Sequence, residues 1–127
     1  MDEERVALRF NSGKPELHYI LFYPRFLEAL ASVQEQGAFK YGYANWSLGG
    51  KPDQEYLDAA LRHLIAHFSG EVYDEDIGTL HLAQCIWNLM NLLEQNLKEL
   101  PLFDPDFDQE AFIKRWEDAP KQEGRPR

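Results

Sequence analysis

Only one cysteine, Cys85, is present in the 127 residues, which excludes an internal disulfide. No apolar run approaches the roughly 20 residues that a membrane span requires. The first residues, Met1 to Arg5, are acidic, and no apolar stretch of the kind a secretory leader carries follows them. These absences fit a reducing cytoplasm and no membrane partner. Basic charge is also scarce: 13 Lys and Arg stand against 22 Asp and Glu, for a net charge of −9. Nucleic-acid binding depends on a basic face that displaces counterions, and Lys and Arg cluster only in the C-terminal tail, so nucleic acid is not an expected partner. Several catalytic signatures are missing. Gly13-Lys14-Pro15 is not a P-loop, no Glu follows His63 as a zinc-protease motif needs, and there is no Gly-x-Ser-x-Gly.

What is present is helical periodicity. Apolar residues make up 44% of the chain and aromatics 13%, enough for one folded domain. Residues 1–22 lack a clear period and read as an irregular N-terminal segment, with a short extended piece over Arg5 to Phe10 and a turn at residues 11–15. Pro24 can open a first helix, whose stripe is Phe26, Leu30 and Val33 and whose end is Gly42. A glycine-containing loop follows, and Asp53 is the expected N-cap of a second helix. That helix places Leu57, Ala60, Leu61, Leu64, Ile65 and Phe68 at a 3.6-residue period, with His63 and His67 on one border of the stripe, and Gly70 ends it.

A third helix is predicted from Gly78-Thr79 to about Leu97. It is apolar almost all round, and a helix of that kind is buried in a core or an oligomer interface. One narrow polar seam interrupts it: His81, Gln84, Asn88, Asn91 and Gln95, at alternating spacings of three and four. Buried amides must find partners, because an unpaired one costs about 1–3 kcal/mol. After Pro101 the chain predicts a loop and a short helix, Gln109 to Glu117, capped by Asp108. Residues 120–127 read as a disordered tail. The fold class expected is all-α: a small helical bundle, with residues 23–100 as its core and 101–119 as a C-terminal loop and helix.

Two segments carry the chemistry. The turn from Gly70 to His81 holds Glu71, Asp74, Glu75 and Asp76, with His67 before it and His81 after it. Clustered carboxylates suit hard divalent cations such as Mg²⁺ or Mn²⁺. By composition alone the same turn is equally a solvated acidic loop. An acidic chain still binds a polyphosphate when divalent cations bridge the like charges. The loop from Gly37 to Trp46 mixes glycine, aromatics and one lysine. There Lys40 could hold a phosphate, Tyr41 or Trp46 could stack on a base, and Asn45 could read a base or sugar edge.

Taken in order, Gly13-Lys-Pro15, Gly37-Ala-x-Lys-Tyr-Gly42, Asn45-Trp46, Tyr56-Leu-Asp-Ala-Ala-Leu-Arg-His-Leu64, Gly70-Glu-x-x-Asp74, Gly78 and His81-Leu-Ala83 resemble the phage-associated dATP/dGTP diphosphohydrolase N-terminal family. The resemblance covers about residues 13–94. It implies a helical fold related to the MazG-like nucleotide pyrophosphohydrolases, which cleave a nucleoside triphosphate to monophosphate and pyrophosphate with Mg²⁺ or Mn²⁺. The wider Glu-x-x-Glu…Glu-x-x-Asp quartet of those enzymes is absent as such; Glu55/Asp58 and Glu71/Asp74 are a variant of it.

Carried onto this chain, the resemblance implies metal ligands at Asp58, Glu71, Asp74 and Asp76. It implies proton transfer or water orientation by His63 or His81, and substrate binding by Lys40, Asn45 and Arg62; Tyr41, Trp46 and the seam residue Asn88 are further substrate-binding candidates. The expected substrate is a deoxynucleoside triphosphate with a purine base, in a cytoplasmic homo-oligomer that buries the third helix; for a phage protein the compartment is the host cytoplasm. Two alternatives remain open at this point: a phage protein that sequesters a nucleotide without cleaving it, and a helical interaction protein.

Overall fold

The computed structural model describes residues 14–119, and in this range the protein is all-α. The extended piece over Arg5 to Phe10 and the tail at 120–127 lie outside the described residues. Four α-helices follow a 3₁₀ turn at Leu17–Phe22: α1 (Pro24–Tyr41), α2 (Asp53–Phe68), α3 (His81–Asn96) and α4 (Gln109–Glu117). Pro24 occupies the first turn of α1, where its missing N–H costs nothing. Gly42 ends that helix at φ +96°, its N–H bonded to the Ala38 carbonyl. Asp108 caps α4 by accepting a bond of 2.9 Å from the Ala111 N–H.

The start of α2 departs from expectation. Pro52 is the N-cap and Asp53 is the first helical residue. The Asp53 carboxylate instead accepts from the side chains of Gln95 (2.5 Å) and Asn96 (3.3 Å) at the far end of α3. It therefore ties the two helices together antiparallel, which brings the C-terminal half of α2 beside the start of α3. The end of α2 is a Schellman motif. Gly70 at φ +99° bonds its N–H to the His67 carbonyl, and Glu71 N–H reaches back to Ala66.

α3 begins at His81, two residues later than its pattern suggests. The residues before it form a tight loop instead. Tyr73 and Leu80 make an isolated antiparallel bridge, Asp74 N–H bonds to Thr79, and His81 N–H bonds to Val72. Gly78, at φ +77°, permits the reversal.

α3 packs along α2, and α1 lies against α3. Within a single chain α3 turns its polar seam inward rather than its aliphatic face. Its polar seam (His81, Gln84, Asn88 and Asn91) is buried with Ala83 and Cys85, while Leu82, Ile86, Leu89, Met90 and Leu93 stay substantially exposed. The seam satisfies itself in part along its own helix, Asn88 donating to the Gln84 carbonyl and Asn91 to that of Trp87. Small side chains explain the arrangement: Ala60 on α2 and Ala83 on α3 let the helices approach, and the bulky aliphatic residues point outward.

Candidate functional site

The antiparallel α2/α3 pair brings two histidines 18 residues apart into contact. His63 Nδ1 and His81 Nδ1 are 2.8 Å from each other. Asp74 completes the group: one ligand atom from each of His63, Asp74 and His81 lies within 4.8 Å of the others. The loop described above holds Asp74 in place. Its Oδ1 accepts from the Asp76 N–H at 2.9 Å, and its Oδ2 accepts from the buried Gln84 side chain at 2.8 Å.

The electrostatics agree with this geometry. Burial opposes ionisation of Asp74, but the bonds from Gln84 and the Asp76 N–H, with the two histidines nearby, hold its pKa below the ordinary value. Burial and the neighbouring His81 lower the pKa of His63, against the pull of Asp74, so its neutral, lone-pair-bearing form is favoured. His81 Nε2 is buried and makes no aligned hydrogen bond, although Glu71 Oε1 approaches to 3.2 Å off that direction.

These residues fit a metal ion. Two nitrogens each about 2.1 Å from one ion and at right angles lie about 3 Å apart, close to the separation of the two imidazoles. An imidazole pair plus a carboxylate mixes donor types and suits Mn²⁺ better than Mg²⁺, which prefers oxygen and water. Glu71 beside the far nitrogen of His81 has the place of a carboxylate that orients a ligating imidazole.

Other residues singled out from the sequence lie elsewhere. Asp58 is exposed on α2 and joins no such group among the described residues. Asp76 pairs with Lys40 at 2.6 Å across the surface, a bond that raises the Lys40 pKa; the partners are too exposed for the pair to add much stability. Arg62 is exposed next to His63 and contributes to lowering the His63 pKa. Asn88 is buried in the seam, one turn beyond Gln84. Tyr41 and Asn45 line a cavity between the end of α1, the following loop, α2 and α3. The Trp46 side chain lies outside the described positions. Gln34, Lys51, Tyr56 and Trp87 also line the cavity, and none of them carries a role on sequence grounds. Only the folded structure brings them to one cavity.

The segment from Gln34 to Asn88 thus carries both the His63–Asp74–His81 group and the cavity. A family model described as dATP/dGTP diphosphohydrolase, N-terminal, matches residues 5–104. The chain belongs to this family. The match contains α1, α2 and α3 and stops before α4, so the whole site lies inside the family domain. A curated relative, the dATP/dGTP diphosphohydrolase of Salmonella phage PMBT28, is 36% identical over 85 residues. Those residues are 67% of this chain but 28% of the relative. The chain therefore spans less than a third of that protein's length. No solved structure matches the chain. No helix among the described residues is long and apolar enough to cross a membrane.

Proposed function

We propose that this domain hydrolyses purine deoxynucleoside triphosphates to the monophosphate and pyrophosphate, with a divalent metal ion, Mn²⁺ in preference to Mg²⁺, held by His63, Asp74 and His81. The observation that carries the proposal is the convergence of those three side chains within a family whose curated phage relative is named for the reaction. A bound divalent cation supplies positive charge to the triphosphate and acidity to a water.

The chain's own residues do the rest. Gln84 and the Asp76 N–H keep Asp74 ionised and aimed. Glu71 Oε1, 3.2 Å from the far nitrogen of His81, is placed to turn toward that nitrogen when the ring binds a metal. Arg62 and Lys40 offset phosphate charge in a chain whose net charge is −9. In the reaction, water oxygen bonds to the α-phosphorus, the bond from that phosphorus to the bridging oxygen breaks, and pyrophosphate leaves. The attacking water's proton passes to the departing pyrophosphate or to solvent.

We also propose a homo-oligomer. Leu57, Leu61, Ile65 and Phe68 recur along α2, with Ile86, Leu89 and Leu93 along α3, and all are exposed, Ile65 at 64% and Phe68 at 79%. A second copy laid on these faces would give a bundle whose core is this apolar surface.

The test is product analysis. Each deoxynucleoside triphosphate is incubated with the protein and Mn²⁺, or with EDTA. Monophosphate and pyrophosphate appearing only with metal support the proposal. Tight binding of intact nucleotide without cleavage indicates a sequestering protein, and no binding indicates an interaction module.

A further inference from the structure

Gln34, Tyr41, Asn45, Lys51, Tyr56 and Trp87 line a cavity of about 310 Å³, within the size range of small-molecule sites. Three of the six are aromatic, which suits a flat ring. Gly37, Gly42 and Gly49 add wall without side chains, and a Cβ at Gly37 would meet no atom within 4 Å. The cavity shares its two helices with the histidine cluster. Tyr56 precedes His63 by seven residues on α2, and Trp87 follows His81 by six on α3, so the two places are roughly 9–11 Å apart along the helix axes. A base and its phosphates are separated on that scale. Lys40, adjacent to Tyr41 in sequence, reaches the acidic turn through Asp76 and bridges the interval.

One hydrogen bond fixes what the cavity can read. The indole Nε1–H of Trp87 donates to Gln34 Oε1 at 2.8 Å. An indole N–H can only donate, so the carboxamide is oriented with its oxygen toward Trp87. Its NH₂ group, a pure donor, is what Gln34 offers a ligand. Adenine and guanine both carry an acceptor at N7, and pyrimidines have no ring nitrogen there. A free glutamine can select adenine by pairing with N6 and N7 together, but that requires its oxygen as acceptor. In this protein the Trp87 indole takes one of that oxygen's two lone pairs and holds the oxygen on its own side.

We infer that this cavity is a purine subsite in which Gln34, positioned by Trp87, donates to N7 and so accepts adenine and guanine alike while disfavouring pyrimidines. This rests on the hydrolysis proposed above. The test compares dGTP with 7-deaza-dGTP, which lacks that acceptor, on the full chain with Mn²⁺. In the unaltered protein the 7-deaza substrate loses roughly threefold to tenfold in kcat/KM, through KM, the worth of one neutral hydrogen bond. In Gln34→Leu the two substrates become equal. Gly37→Leu, which fills the cavity from a helical position, raises KM for both and leaves Mn²⁺ affinity unchanged. Equal kinetics for the two substrates in the unaltered protein overturn the subsite. If the protein cleaves nothing, the hydrolysis proposal has failed and the subsite is read separately by calorimetry with dGMP and 7-deaza-dGMP. A preference for dGMP that Gln34→Leu abolishes upholds it, and no preference or no binding overturns it.

Discussion

Replacing Gln84 by leucine removes one bond to Asp74 while keeping the volume of a buried side chain. In the native protein Gln84 Nε2 donates to Asp74 Oδ2 at 2.8 Å, and among the described residues the Asp76 N–H, at 2.9 Å, is the other hydrogen-bond donor to that carboxylate. A hydrogen bond to a charged group contributes about 1.5–3 kcal/mol, so the apo protein should lose about that much in urea unfolding. Leucine's apolar contacts at this buried position push the loss toward the lower figure. The metal affinity should fall as well, by about 10–100-fold, because the residue that aims a ligand acts on every ion that binds. Mn²⁺ titration followed by electron paramagnetic resonance reads the second effect directly. The two readouts separate two roles for Gln84. A merely structural Gln84 would cost stability and leave Mn²⁺ affinity where it was, and that result would refute the assignment of Asp74 as a ligand.

Other consequences are independent of that one. Gly70→Ala places a Cβ on a residue at φ +99°, which should destabilise the protein by about 1–2 kcal/mol in thermal or urea unfolding. Burial raises the Cys85 pKa, so at neutral pH the thiolate is rarer than for a free cysteine. Alkylation with iodoacetamide should therefore be slow in the folded protein and become fast in denaturant. Ile65→Glu puts a charge in the exposed apolar face of α2 and should lower the mass seen by light scattering to that of one chain, with the helical circular dichroism retained. An unchanged oligomer would exclude this face as the interface.

Local chemistry made much of the fold legible. Pro24, Gly42, Gly70 and Asp108 carry backbone preferences that hold in any context, and each sits where its helix boundary falls. Asp53 shows the limit. It has the composition of a cap, but partners on α3, about forty residues away, claim its carboxylate. The seam of α3 was visible as a pattern, yet its burial depended on which face α2 covers, and one helix's periodicity does not hold that information.

The site divides in the same way. His63, Asp74 and His81 each stand out in the sequence, but their meeting depends on the register of two antiparallel helices and on the loop that clamps Asp74. Proximity along the chain grouped the acids of the turn and the resemblance added Asp58, whereas in space Asp58 faces solvent and Asp76 turns to Lys40. The link between Gln34 and Trp87 spans 53 residues and has no signature short of the folded structure.

The proposed metal ion sits between α2, α3 and the acidic turn. Crystals grown with Mn²⁺ and measured near the manganese absorption edge test it most directly. The predicted result is an anomalous peak within bonding distance of His63, Asp74 and His81, absent in His63→Ala. A peak among Glu71, Glu75 and Asp76 instead, or no peak in crystals that contain Mn²⁺, would contradict it.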